Sequence, residues 1–202
     1  MAALFLAVTV WTGPLWAGAP TELLKEKTDE IKKIIADPDL QQRKDDRKAM
    51  VKKIIDGMME WRETARRALG VNWKKRSPQE REEFIRVFKN LLDRTYSDKL
   101  ELFSGQEIVF ESERIDDDYA TVKSKVIDKK KGTEVGLDFR LLKENEKWLV
   151  YDLSAEGISV LNNYRAQFDE IIADSSYDEL IKKMKNKELG TQPSSASKAA
   201  KK

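Results

Sequence analysis

The 202-residue chain contains neither cysteine nor histidine. Without cysteine there is no disulfide, no thiol nucleophile, no thiolate metal site and no lipid attachment through an N-terminal cysteine. Without histidine, the His-dependent triads and imidazole-ligated metals are excluded. Glycine is sparse, at nine residues, and no Gly-rich phosphate loop occurs. Charge of one sign is also lacking. The net charge of +2 comes from the end of the chain, where Lys198, Lys201 and Lys202 stand without an acid after Gly190. Since the first 19 residues are uncharged, residues 20–189 sit at net −1, so there is no basic field for nucleic acid. Long apolar runs are missing too: the one near the start, Ala2 to Val10, is too short to span a bilayer, which takes about 20 residues.

What is present suits one solvated domain, with 40% apolar residues for a core and 37% charged residues for its surface. The opening run is followed by Gly13, Pro14 and the small residues Ala17-Gly18-Ala19, the layout of an export signal over residues 1–19. No Lys or Arg precedes the run, and Ala17 competes with Ala19 as the cleavage point. From Gly190 the stretch "GTQPSSASKAAKK" is small and polar, and residues 190–202 are expected to be a disordered tail. The domain between is residues 20–189.

Leu24, Ile31, Ile34 and Ile35 form a helical stripe that Pro38 ends. A second helical pattern runs through Met50, Ile54, Ile55, Met58, Met59 and Trp61 to Gly70, which reads as a C-terminal cap, with Gly57 as a point of weakness. "SPQE" at Ser77–Glu80 is a capping box opening a long helix through Phe84, Val87, Phe88, Leu91, Leu92, Tyr96 and Leu100. The period then changes from 3.6 to 2. "EIVFESERI", "YATVKSKVI", "EVGLDFRLL" and "WLVYDLS" are short alternating segments joined by hairpin-like loops, which predicts an antiparallel meander. In the third, Val135, Leu137, Phe139 and Leu141 share a face. Helix resumes after Glu156-Gly157 with Ile158, Leu161, Tyr164, Phe168, Ile171 and Ile172 inward. A second capping box, "SYDE" at Ser176–Glu179, opens a last short helix. The predicted class is α+β: helices packed on a curved antiparallel sheet of about four strands.

The acidic clusters at Asp45-Asp46 and Asp116–Asp118 fall on polar helix faces or in loops, where carboxylates are solvated and unsuited to acid–base work. No EF-hand spacing accompanies them, so no metal site is expected. The chain is read as a non-enzyme without a cofactor. The informative feature is bulky apolar residues on elements facing one sheet: Phe84, Phe88, Leu91, Leu92 and Tyr96 from the long helix, Leu137, Phe139, Leu141, Leu149, Tyr151 and Leu153 from the sheet, and Leu161, Tyr164 and Phe168 from the closing helix. Packing physics reads them as a solid core.

The stretch "WLVYDLSAEGISVLNNYRAQF" resembles the signature of the MlaC-type periplasmic phospholipid-binding proteins, also called the toluene-tolerance family. The matching residues are Trp148, Tyr151, Asp152, Glu156, Gly157, Ile158, Ser159, Asn163, Tyr164, Arg165, Gln167 and Phe168. Upstream, "RRALGVNWKKRSPQEREEFIRVFKNLLDRTY" resembles the family's entry into its Phe-rich long helix, and the resemblance covers about residues 21–186. Leu153-Ser154-Ala155 is a more polar link than the family often shows. The resemblance implies a monomeric periplasmic carrier with a glycerophospholipid as cargo, its tails in an apolar cavity lined by the bulky residues above. The implied partners are an outer-membrane lipoprotein–porin complex and an inner-membrane ABC transporter complex, and the implied role is the maintenance of outer-membrane lipid asymmetry. Asp152, Asn163 and Arg165 have two readings: they hold the strand–helix corner, or contact the headgroup. Two rival classes stand beside the carrier. One is a small-molecule enzyme or binding protein on a similar scaffold; the other is a periplasmic chaperone-like protein that binds apolar polypeptide.

Overall fold

The computed structural model describes residues 19–100, 105–186 and 188–189. The expected export signal, apart from Ala19, and the expected tail lie outside the described residues, as does the expected helix end at Phe103 and Ser104. The chain runs α1 (Ala19–Ala36), α2 (Lys44–Met58), α3 (Trp61–Leu69), α4 (Pro78–Leu100), β1 (Glu107–Asp116), β2 (Tyr119–Asp128), β3 (Thr133–Glu144), β4 (Lys147–Ala155), β5 (Ile158–Ser159), α5 (Val160–Asp174) and α6 (Tyr177–Lys185).

Local chemistry sets most of these boundaries. Pro38 ends α1 and opens a 3₁₀ turn capped by Asp37. Ser77 and Glu80 form the predicted reciprocal box: the Ser77 amide donates to the Glu80 carboxylate at 2.6 Å and the Glu80 amide to Ser77 Oγ at 3.2 Å. Ser176 caps α6 through the Glu179 amide. Gly70 closes α3 with φ of +55° and ψ of −130°, a conformation open to glycine and costly for other residues.

The sheet is an antiparallel meander in the order β1-β2-β3-β4-β5. The fifth strand is the two-residue Ile158–Ser159, which pairs with the end of β4 where helix was expected. Ile158, expected inward, is therefore 47% exposed. Each hairpin bends through residues at positive φ: Asp117, Gly132, the pair Asn145 and Glu146, and the pair Glu156 and Gly157.

The second helical pattern does not run through as one helix. It stops at Met58, two residues of extended chain follow, and α3 begins at Trp61. Gly57 stays helical. The break has a tertiary cause. Met59 forms a parallel bridge with Val150, and the Glu60 amide donates to the Val150 carbonyl at 2.8 Å. The Thr64 hydroxyl reaches the Tyr151 carbonyl at 3.0 Å. At the same place β4 carries a bulge: Arg140 pairs with Asp152 and Leu141 with Val150, so Tyr151 is the extra residue.

Two apolar clusters result. One is helical, built from α3 to α6 around Phe84, Phe88, Leu91, Tyr164 and Phe168. Its rings stack edge to face, as in Phe84 against Phe168 with centroids 5.7 Å apart. The other lies under α1 and α2 on one face of the sheet, where Leu24 and Met58 cover Ala120, Val122, Phe139, Leu141 and Val150.

Candidate functional site

Antiparallel partners share a face, so the registers define the inner face row by row. Ile115, Ala120, Leu141 and Val150 make one row, and Glu113, Val122, Phe139 and Leu153 the next. Phe110, Ser124, Leu137 and Ala155 follow, then Ile108, Val126 and Val135. The first two rows carry the strand centres that α1 and α2 bury. The cover is uneven. At one end Ile115 is 49% exposed. At the opposite end, where β1 begins, Ile108, Phe110, Leu137 and Leu153 are half-buried and Val135 is 41% exposed, although Ser124 and Val126 between them are buried. α4 leads into β1 there. α5 starts from the same end, since β5 pairs with Ser154 and Ala155. The half-buried rim of the helical cluster, including Leu92, Tyr96 and Val160, belongs to those two helices. An incompletely covered apolar margin of the sheet and an apolar helical rim are thus tied to one end of the fold.

A polar contact anchors the other layer. A bulge after Phe110 turns Glu113 inward, and its carboxylate accepts from the Thr21 amide at 2.8 Å and hydroxyl at 2.6 Å. That carboxylate caps the first turn of α1, where it also meets the helix dipole.

Asp152 is the hub of the strand–helix corner. It is 4% exposed, and its Oδ2 accepts from Arg140 Nη1 at 3.0 Å and from Ser159 Oγ at 2.7 Å. Its Oδ1 accepts from the Leu153 and Leu161 amides at 2.8 and 3.2 Å. Ser159 in turn caps α5 through the Asn162 amide at 3.1 Å. Arg165 sits elsewhere. It is exposed, with Nε 3.8 Å from Asp169, and lies so close over Gly70 that a Cβ there would meet its Nε at 2.6 Å. Asp169 also accepts from Asn72 Nδ2 at 2.9 Å, so this group joins α5 to the turn after α3. Asn163 is half-buried on α5, and its carbonyl accepts from Gln167.

The predicted wall residues divide between the clusters instead of forming one surface. Phe84, Phe88, Leu91, Tyr151, Leu161, Tyr164 and Phe168 lie in the helical cluster, with Leu92 and Tyr96 at its rim. Phe139 and Leu141 lie under α1 and α2, with Leu137 and Leu153 packed at that cluster's margin. Leu149 pairs with Leu142 on the opposite face of the sheet. The bulge is the reason. Alternation predicts one face for Leu149, Tyr151 and Leu153, but the extra residue changes the parity between Leu149 and Leu153 and sends Tyr151 to the helices. There Arg67 stacks over its ring at 4.2 Å while pairing with Glu63.

An enclosed apolar cavity between helices and sheet does not stand open in this structure among the described residues. Two open hollows occur on the helical side: one of about 410 Å³ lined by Glu83, Asp178, Ile181, Lys182, Lys185 and Asn186, and one of about 390 Å³ lined by Pro78, Gln79, Glu82, Glu83 and Arg86. Their lining residues come from α4 and from α6 and its end, and none belongs to the sheet. Among the described residues no acidic cluster is arranged to hold a metal ion, and no helix is long and apolar enough to cross a membrane.

Sequence reasoning missed Glu113, Arg140 and the Gly70–Arg165 contact. Alternation places Glu113 on the outer face, so no local signal pointed to the first, which a bulge turns inward. The opposition of Arg140 and Asp152 required the register.

An α+β domain with a meander sheet, helices on its apolar face and a carboxylate-held corner is the class this fold defines. Residues 25–186 match the family described as MlaC protein. The chain belongs to that family. It is 30% identical over 122 residues to the intermembrane phospholipid transport system binding protein MlaC of Haemophilus influenzae, a match covering 58% of this chain and 57% of that relative's length. Among solved structures it is similar to a phospholipid-binding protein from Ralstonia solanacearum in complex with a phospholipid. That similarity has a TM-score of 0.73 and 27% identity, and covers 84% of this chain and 96% of the other.

Proposed function

We propose that this protein is a periplasmic phospholipid carrier. It takes one glycerophospholipid with its acyl chains between the sheet and the helices and its headgroup at solvent, and moves it between an outer-membrane lipoprotein–porin complex and an inner-membrane ABC transporter complex. Outer-membrane lipid asymmetry is the outcome it serves. The observation that carries the reading is the fold agreement, over most of both chains, with a protein solved holding a phospholipid. The half-covered apolar margin formed by Phe110, Leu137 and Leu153 supplies a surface suited to acyl chains.

Energetics favour a carrier that works by contact. Burying about 30 methylenes at roughly 0.8 kcal/mol each is worth about 24 kcal/mol relative to water. A lipid held that strongly leaves for a bilayer or another apolar pocket, not for solvent, so handover between such sites is nearly isoergic. The mechanism is docking, parting of the helical layer from the sheet, and sliding of the tails, with no bond made or broken. Layers packed to interior density must part for acyl chains to enter between them.

A vesicle-to-vesicle transfer assay tests this. Labelled phosphatidylethanolamine in donor vesicles should reach acceptor vesicles faster in proportion to added protein. Transfer no faster than the spontaneous rate, with no lipid on the recovered protein, overturns the carrier reading.

A further inference from the structure

Within the helical cluster the Tyr177 hydroxyl donates to the Glu80 carbonyl at 3.0 Å, but another phenol is placed differently. The Tyr164 ring is fully buried, edge-on to Phe88 with centroids 5.4 Å apart and tilted against Phe168 at 5.6 Å. Its hydroxyl is buried and meets no hydrogen-bond partner among the described residues. The Thr95 and Tyr96 hydroxyls of α4 are close enough to act on it as hydrogen-bonding groups, with the Arg94 charge felt beyond them. Neither meets it in hydrogen-bond geometry, and the Thr95 hydroxyl already donates to the Leu91 carbonyl at 2.8 Å. Burial pushes both the Tyr96 and Tyr164 phenols up, so each keeps its proton at neutral pH. Buried polar groups are ordinarily paired, and an unmet donor is a standing cost that a guest acceptor removes.

Placement says what kind of guest. Thr95 and Tyr96 are half-buried, so the hydroxyl group lies at the rim of the cluster and not at its centre. It sits between α4 and α5, the two helices tied to the end of the sheet where Phe110, Leu137 and Leu153 are half-covered. A ligand entering there with apolar chains meets a neutral donor in an apolar wall. A charged phosphate would be expensive to bury at such a spot, whereas a neutral carbonyl acceptor is matched to it.

We infer that the Tyr164 hydroxyl, flanked by Thr95 and Tyr96, receives an ester carbonyl of the bound glycerophospholipid and so sets how deep the acyl chains enter. The inference rests on the carrier reading and specifies a contact that reading leaves open.

The test compares lipids that differ only at this atom. Wild-type protein and Tyr164→Phe are loaded from vesicles of diester phosphatidylethanolamine or of its diether analogue with equal chains. One net hydrogen bond is worth roughly 3- to 10-fold in retention. Wild type should therefore retain the diester about that much better, and Tyr164→Phe should retain the two equally. A wild type that takes up lipid without preferring the ester overturns the inference, since the hydroxyl then serves only water or packing. An unchanged preference in Tyr164→Phe overturns it too. The wild-type comparison decides the matter even if the variant fails to fold. Failure of wild type to take up either lipid removes the carrier reading and this contact with it.

Discussion

Replacing Asp152 with alanine should separate two partners that look equivalent in a contact map. Asp152 is buried and accepts four hydrogen bonds, from Arg140, Ser159, Leu153 and Leu161. Of those donors, the Ser159 hydroxyl and the Leu161 amide belong to residues only 5% and 4% exposed, so they cannot turn to water. Each buried donor left unmet costs about 1–3 kcal/mol, and release of Ser159 also loosens a helix cap worth about 1 kcal/mol. The expected loss for Asp152→Ala is therefore about 3 kcal/mol at the low end of that range and about 5 kcal/mol at its middle. Arg140 is different, because its side chain is 42% exposed and resolvates when the pair is broken. Arg140→Gln should cost no more than about 1 kcal/mol, since it removes a screened ion pair and leaves Asp152 three of its donors. Urea unfolding followed by circular dichroism reads both, with unchanged m-values required for the comparison. In thermal melts Asp152→Ala should fall by roughly 6–20 °C, at 2–4 °C per kcal/mol for a domain of this size. Equal losses for the two variants, or a loss below about 1 kcal/mol for Asp152→Ala, would refute the assignment of the corner to buried donors.

Gly70→Ala should lose about 1–3 kcal/mol, because alanine resists the glycine's positive φ and its Cβ displaces the Arg165 side chain; an unchanged urea midpoint contradicts this. Burial pushes the Glu63 carboxyl up, but the Arg66 and Arg67 guanidiniums bonded to it more than offset that, and its value ends lowered. A lowered folded value stabilises above the unfolded carboxylate value near about 4.3 and is lost as pH falls through the folded one. Glu63→Gln should thus be less stable than wild type at pH 7, with the gap closing toward pH 3; a gap constant with pH argues against it. With no histidine in the chain, stability and lipid transfer should stay flat between pH 5.5 and 7, and a midpoint near about 6.5 in either would contradict the account.

What the sequence discloses follows the range of the interactions involved. Capping at Ser77 and Ser176 and the termination at Gly70 act within a few residues, and the structure shows them as read. The change of period at Glu107 marks the onset of the sheet for the same reason. The family signature, a dense run of residues around Asp152, was legible as well. The parity of β4 was not. It depends on a bulge at Tyr151 held by Thr64, a partner 87 residues away, and no local pattern carries that. The same pairing breaks a helix whose periodicity runs on undisturbed through Met59 and Glu60. Glu113 looked like a solvated charge until a second bulge turned it toward the first turn of α1. Leu149, Tyr151 and Leu153 therefore scatter to three surroundings, although alternation groups them as one surface.

The central claim is that a phospholipid occupies the space between these layers, and native mass spectrometry of the protein prepared without detergent tests it most directly. The account predicts one added mass per chain equal to a diacyl phospholipid, recovered as such by organic extraction. A clean mass for the protein alone, unchanged after incubation with vesicles, would contradict it and leave the two apolar clusters as a closed core.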